Sequence, residues 1–230
     1  MSERECPFGL CDGSGLLLDF DTDTASPCRC RPQEIARRRA RNLSAVIPRR
    51  YRAVSFQTPP VTEIEPRTVV AHTRRFATRI EAQLDAGRGL WFMGPPGTGK
   101  TTLAMLVSKA ALDAGRSVAI YSLPRLLNEI RDTYRAERSH VDLLDRLTAV
   151  DLLHIDDVGA EKSNEWVLEE LYSIVNARYE DERSIVITTN ILDRDKLREQ
   201  INSRTVSRLT EMCDELPLTG SDHRMDLRIA

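Results

Sequence analysis

The chain has 230 residues, 41% hydrophobic and 30% charged, with a formal net charge of −2. That length holds one full α/β domain plus a small appendage, and the near-neutral balance excludes a global field that would drive the chain onto nucleic acid, so any basic surface is local. No apolar run approaches the ~18 residues of a membrane span, and MSERECPFG lacks the apolar centre of a signal peptide; the expectation is a cytoplasmic protein without membrane contact, in which thiols stay reduced.

Three zones differ in composition. Residues 1–30 carry four of the five cysteines, spaced Cys6-x4-Cys11, sixteen residues, then Cys28-x-Cys30. Four thiolates can surround Zn²⁺ tetrahedrally, and two close pairs joined by a loop suit that geometry. CDGSG supplies the glycines that let backbone N–H groups turn towards sulfur, and a thirty-residue segment has too little apolar matter to fold without such a staple. Neither pair has the common C-x-x-C spacing, so four free thiols or a redox pair stay open. Residues 31–60 read as a basic linker following a short helix. Nine arginines and one acid, Glu34, lie between Arg29 and Arg52, and Pro48, Pro59 and Pro60 punctuate the stretch.

Residues 61–230 alternate helices and strands. Val69, Val70, Phe76, Ala77, Ile80 and Leu84 recur at helical spacing over 66–86, and GLWFM (89–93) is a short buried strand. GPPGTGKT follows, a complete G-x-x-x-x-G-K-[ST] pattern between a strand and a helix whose apolar face is Leu103, Leu106, Val107, Ala110 and Ala111. Such a loop curls its backbone N–H groups inward onto phosphate oxygens at a helix N-terminus. Gly94, Pro95, Pro96, Gly97, Thr98, Gly99, Lys100, Thr101 and Thr102 would line the nucleotide, with Lys100 reaching the β- and γ-phosphates and Thr101 offering its hydroxyl to Mg²⁺.

SVAIYS (117–122) is a second strand, followed by helices at 124–136 and 142–149. On the first of these, Arg131, Arg135 and Arg138 share a face with Tyr134, and Arg125 lies just before them. This is either a surface for single-stranded DNA or an ordinary solvated helix. DLLHID (151–156) is a third strand. Asp156 would hold the metal, and Asp157 would orient or deprotonate the attacking water. Aspartate is one methylene shorter than the usual glutamate, which implies slow hydrolysis.

Trp166, Leu168, Leu171, Ile174 and Val175 mark a long helix. SIVITT (184–189) is a strand ending at Asn190, which is either a sensor of the γ-phosphate or a helix cap. Helices run from 193 to 212, and ELPLTG (215–220) is a fifth strand. Arg204 and Arg208, four apart on one helical face, are either a solvated pair or arginines that complete a neighbour's site. Cys213 reads as a core residue, and the histidines at 72, 140, 154 and 223 show no ligand spacing.

The phosphate loop, LLHIDDVGAEKSNEWVLEELYSIVNARYE, SIVITTN and RTVSRLTEMCDELPLTGSDHR together resemble the AAA+ ATPases of the DnaC type, the replicative-helicase loaders, whose core is shared with IstB-type transposition helper ATPases. IPRRYRAVSF (47–56) is similar to the entry segment of that group. The alternation of strands and helices gives a mostly parallel five-stranded sheet between helices, behind the small zinc-binding module that the cysteine spacing suggests; the resemblance implies that this α/β unit is an AAA+ P-loop core without a C-terminal lid. It implies ATP-dependent homo-oligomers, Arg208 as the finger in trans with Arg204 beside it, Arg224 near the nucleotide, and contact with single-stranded DNA. The leading expectation is an ATP-hydrolysing loader that grips the replicative helicase through its N-terminal module. A transposition helper and an ATP-gated adaptor with vestigial hydrolysis are the alternatives.

Overall fold

The computed structural model describes residues 6, 8–20, 22–31, 46–135, 140–160, 164–220 and 222. The N-terminal residues form a two-stranded antiparallel hairpin, β1 (Leu16–Asp19) with β2 (Thr24–Pro27). The hairpin lies between the two cysteine pairs and brings them together. Its interior is sulfur rather than hydrocarbon. Cys6, Cys28 and Cys30 are its buried side chains among the described residues, and Leu17 packs beside them.

The rest is built on helices α1 (Arg67–Thr78), α2 (Ile80–Asp85), α3 (Lys100–Asp113), α4 (Leu123–Arg135), α5 (His140–Ala149), α6 (Glu165–Glu180), α7 (Arg194–Ile201) and α8 (Ser203–Met212). Between them run strands β3 (Gly89–Met93), β4 (Val118–Ser122), β5 (Leu152–Val158), β6 (Ser184–Thr189) and β7 (Cys213–Pro217). The sheet order is β4-β5-β6-β3-β7, and every neighbouring pair is parallel. Among the described residues no helix follows β7.

Alternation along the strands separates two cores. Trp91, Ala119, Tyr121, Leu153, Ile155, Ile185 and Ile187 belong to one, together with apolar residues of α4 to α8. Leu90, Phe92, Val118, Ile120, Leu152 and Val186 belong to the other, with α1, α2 and α3. Both faces are covered, which is why the strands read as unbroken apolar runs. The helical stretch 66–86 is two helices, because Arg79 leaves the helical region at φ −111°, ψ 29°. The fifth strand begins two residues earlier than the sequence suggests, so Cys213 is a buried strand residue. Ile47, Tyr51, Val54 and Phe56, within the stretch read as linker, pack partly buried against the second core.

At the edge of the sheet where strands begin, fully buried Arg178 of α6 acts as a clasp. Its Nη1 donates to the carbonyls of Leu147 (2.7 Å) and Thr148 (3.2 Å), and its Nη2 to those of Val150 (3.0 Å), Asp151 (3.3 Å) and Ser184. These are the last carbonyls of α5 and the starts of β5 and β6, groups that a helix end leaves without partners. Arg178→Met strands several of them in a dry interior. The expected loss is about 3 kcal/mol or more of unfolding free energy, read by urea denaturation.

Candidate functional site

The carboxyl edge of the sheet carries the phosphate loop between β3 and α3. Gly94 (φ +149°), Gly97 (φ +81°) and Gly99 (φ +93°) all take backbone conformations that side chains resist. A Cβ on Gly94 would meet the Leu218 carbonyl, one on Gly97 the Asp222 side chain, and one on Gly99 the Ile64 side chain. The loop is therefore closed in on three sides by residues after β7 and before α1. Gly99 caps α3 without a side chain, so the helix N-terminus presents its free N–H groups and partial positive charge to the loop. Lys100, 5% exposed, folds over the loop and donates to the carbonyls of Gly94 and Pro95, both at 2.7 Å.

Opposite stands the end of β5. The ladder to β6 is irregular between Ile155 and Val158, and Asp157 sits there at φ +60°. Such irregularities re-aim side chains beside sites. Here Asp156 stays in the polar interior while Asp157 turns into the cavity. Thr101 Oγ1 donates to Asp156 Oδ1 (3.0 Å) and contacts Oδ2 at 3.3 Å. Thr188 Oγ1 donates to Asp156 Oδ1 at 2.7 Å and accepts the Asp157 N–H at 2.9 Å. Asn190 Nδ2 reaches Asp157 Oδ1 at 3.5 Å. Behind Asp156, fully buried His154 meets Ser108 Oγ through Nδ1 at 2.9 Å. Burial holds the imidazole down at about 4 against the opposing pull of Asp156, so the ring is neutral near pH 7.

A cavity of about 390 Å³ joins these groups, lined by Pro96, Gly97, Gly99, Lys100, Thr101, Thr102, Asp157 and Asn190. Its other wall is Arg50, Tyr51, Val54, Pro60 and Ile64, with the Arg50 guanidinium 4.6 Å from the Tyr51 ring centre. Sequence reasoning missed this wall and Thr188. The wall has no periodicity to betray it, although IPRRYRAVSF stands out as an entry segment. The Thr188 signal was the polar Thr-Thr-Asn ending of an otherwise apolar strand.

The structure does not bring the arginine pair to this cavity. Arg208 Nε donates to Asn176 Oδ1 at 3.2 Å and its guanidinium lies 4.2 Å from the Tyr179 ring centre, while Arg204 lies 6.0 Å from that of Tyr172. Both therefore sit on the α6–α8 surface. Arg224 and Arg138 lie outside the described residues, as does the Arg135 side chain. Arg131 is exposed and stacked 4.5 Å from the Trp166 ring centre; exposed Tyr134 donates to Glu170 Oε1 at 2.9 Å. Arg125 is exposed, 5.7 Å from the Tyr121 ring centre. His72 pairs with Asp214 at 3.0 Å; His223 and the His140 side chain lie outside the described residues.

In the N-terminal module the sulfurs of Cys6, Cys11, Cys28 and Cys30 all lie within 4.8 Å of one another. Cys6 and Cys28 are 3.8 Å apart, Cys11 and Cys30 3.4 Å, and none is in a disulfide. A tetrahedron with Zn–S bonds of about 2.3 Å has edges of about 3.8 Å, so the four sulfurs fit that ion. Burial works against ionising Cys6, but N–H groups of Leu10, Phe8 and Cys11 hold its thiol down at about 6. Burial and the three other thiols push Cys30 up. One thiolate donor is thus formed readily, and a cation would be needed to ionise the whole set.

Residues 62–228 match the family of IstB-like ATP binding proteins, well over half of the chain. The chain belongs to this family. Its core is the AAA+ core of the DnaC type, as relatives of the IstB-like chain show. The replicative helicase loader DnaC of Escherichia coli K12 is 30% identical over 119 residues, 51% of this chain and 48% of that protein. The DnaC of Buchnera aphidicola subsp. Schizaphis graminum is 26% identical over 161 residues, 69% of this chain and 64% of that protein. The chain thus spans between about half and two thirds of these curated relatives. The crystal structure of the DnaC helicase loader superposes with a TM-score of 0.59 at 27% identity, covering 66% of this chain and 89% of that one. DnaI shares the fold at a TM-score of 0.56 and 22% identity, over 82% of this chain and 93% of that chain. The family match begins after the cysteine module and after most of the Arg50–Ile64 wall.

The loop's enclosure gives a direct test of the geometry. Gly99→Ala forces an L side chain into the left-handed region and drives its Cβ against Ile64, so the variant loses about 2 kcal/mol or more in urea unfolding.

Proposed function

We propose that this protein is an ATP-driven loader of a replicative helicase. The observation that carries the reading is the convergence of Lys100, Thr101, Asp157 and Asn190 on one cavity, with Asp156 hydrogen-bonded to Thr101 at its edge. In this reading the curled loop and the α3 N-terminus bind the triphosphate, and Lys100 leaves its carbonyl contacts to meet the β- and γ-oxygens. Thr101 and Asp156 hold Mg²⁺, which neutralises phosphate charge when bound. Asp157 orients the attacking water and takes its proton, and Asn190 couples Asp157 to the end of β6. The wall of Tyr51, Val54, Pro60 and Ile64 encloses the base.

Arg208 is anchored away from its own cavity, which suits an arginine offered to the next copy in an ATP-dependent assembly, with Arg204 beside it. Arg224, at the end of the same chain segment as Asp222, is proposed to approach the nucleotide. The exposed Arg125, Arg131 and Tyr134 are proposed to meet single-stranded DNA.

A short, left-handed Asp157 makes turnover slow. Lys100→Ala should abolish binding of a fluorescent ATP analogue, and Asp157→Asn should keep binding while cutting phosphate release about 100-fold. Turnover by Asp157→Asn equal to that of the unaltered chain would leave a nucleotide-gated adaptor instead of an enzyme.

The helicase is assigned to the cysteine module. Zn²⁺ held by Cys6, Cys11, Cys28 and Cys30 would set a small scaffold that leaves Phe8, Leu10, Leu18 and Phe20 on the surface, Phe20 89% exposed. Metal analysis should find about one zinc per chain, lost in Cys28→Ser. Helicase from the same cell should co-purify with the full chain but not with Cys28→Ser or a chain lacking residues 1–45, a cut that spares Tyr51 and its wall. Equal capture by the shortened chain would refute the assignment. Retention on duplex DNA without helicase would favour a transposition helper, the reading that the IstB-like match supports.

A further inference from the structure

His154 has a second nitrogen with no part in the site so far. Its Nε2 is buried, has no hydrogen-bond partner among the described residues, and lies 4.0 Å from Asp156 Oδ1. An unpartnered donor in a dry interior is costly, so its direction matters. Two spacings place it. Asp156 and His154 are two apart on β5 and therefore share the face that packs on α3. Thr101 and Ser108 are seven apart, two turns on one face of α3. The helix laid on the strand makes two matched pairs, Thr101 with Asp156 and Ser108 with His154.

The ring's tautomer follows from its partners. If Nδ1 carried the proton, the bare Nε2 lone pair would face a carboxylate oxygen. If Ser108 donates to Nδ1, Nε2 carries the proton and faces Asp156 as a donor. The carboxylate also explains why that donor is idle. Asp156 Oδ1 already accepts from Thr101 and Thr188, which uses both of its lone pairs. If Thr101 releases its bond, one lone pair is vacated, and a shift of about 1 Å puts Nε2–H within hydrogen-bonding range of it.

We propose that His154 is a positioning residue for the cation site: Ser108 fixes its tautomer, and its Nε2–H holds the Asp156 carboxylate in the orientation that binds a divalent metal ion. The inference rests on Asp156 as a metal ligand, the reading given under Proposed function. Donors behind a ligand commonly set metal affinity by 10–100-fold. Neither neighbour of His154 on its strand supplies a substitute, because Leu153 and Ile155 face the other core.

The test is a Mg²⁺ titration of fluorescent ATP-analogue binding to the full chain, with a thermal melt of each variant. His154→Leu keeps an apolar fill and removes the donor; its Mg²⁺ midpoint should rise about tenfold or more, with Mg²⁺-free nucleotide affinity unchanged. His154→Gln retains an N–H donor and should stay within about threefold of the unaltered chain. Ser108→Ala frees the tautomer and should fall between the two. An unchanged midpoint in His154→Leu overturns the proposal, and so does a His154→Gln midpoint as high as that of Leu. Should Leu not fold, an unchanged midpoint in Ser108→Ala overturns it. Asp156→Asn separates the two readings. If it leaves the midpoint unchanged, Asp156 is no ligand and both fall; if it raises the midpoint while His154→Leu does not, only the role of His154 fails.

Discussion

The hydrogen bonds that Asp156 accepts from Thr101 and Thr188 tie together three elements that the chain visits far apart: the first turn of α3, the end of β5 and the end of β6. Everything else at the carboxyl edge is arranged around that junction. The loop before Thr101 can curl only because three glycines accept positive φ with neighbours packed against them. Asp157 can face the cavity only because the ladder slips just after Ile155. The opposite edge of the sheet is held by a different device, the guanidinium of Arg178 spread over the carbonyls of five residues. One edge is closed by a rigid clasp, and the other keeps its polar groups in exchangeable hydroxyl–carboxylate bonds. That division lets one end of the sheet change partners while the strands stay in register.

The N-terminal module solves another problem. Its thirty residues hold few apolar side chains, and several of these, Phe8, Leu10, Leu18 and Phe20, lie on the surface. Hydrophobic burial is therefore unable to hold the hairpin. The interior is made of sulfur, and in the reading proposed above a cation that replaces the thiol protons would hold the four cysteines together. A module stabilised by four ligands can place its apolar residues outside, where a core-stabilised module would need them inside. In that reading, the metal site and the exposed hydrophobic surface go together.

How much of this was legible in the sequence depended on whether chemistry or topology fixed each residue. The loop between β3 and α3 and the acidic end of β5 were legible as elements, because G-x-x-x-x-G-K-T and Asp156–Asp157 each follow an apolar run in the sequence. The five strands were legible from apolar runs flanked by helical periodicity. The β1–β2 hairpin was not, since its strands are four residues each and β2 is wholly exposed. The cavity wall from Arg50 to Ile64 was not, because proline-punctuated segments carry no period and their packing is decided by the surface they land on. Thr188 was visible as a residue but not as a partner, because only the β5–β6 pairing puts it beside Asp156.

His154 shows the same limit most sharply. A lone histidine in an apolar strand has no ligand spacing, and reading it as structural is sound on sequence alone. Its meaning comes from two periods that do not share a stretch of chain: two residues along β5 and seven along α3. Each is trivial by itself. Laid against one another by the sheet order, they turn Thr101, Ser108, His154 and Asp156 into a ladder with one rung at the cavity and one rung in the core. The inner rung is dry and fixed, while the outer rung lies at the cavity and would exchange its partner on binding the cation proposed there. Precision at the outer rung would then be inherited from burial at the inner one, a role that an apolar side chain at position 154 could not take.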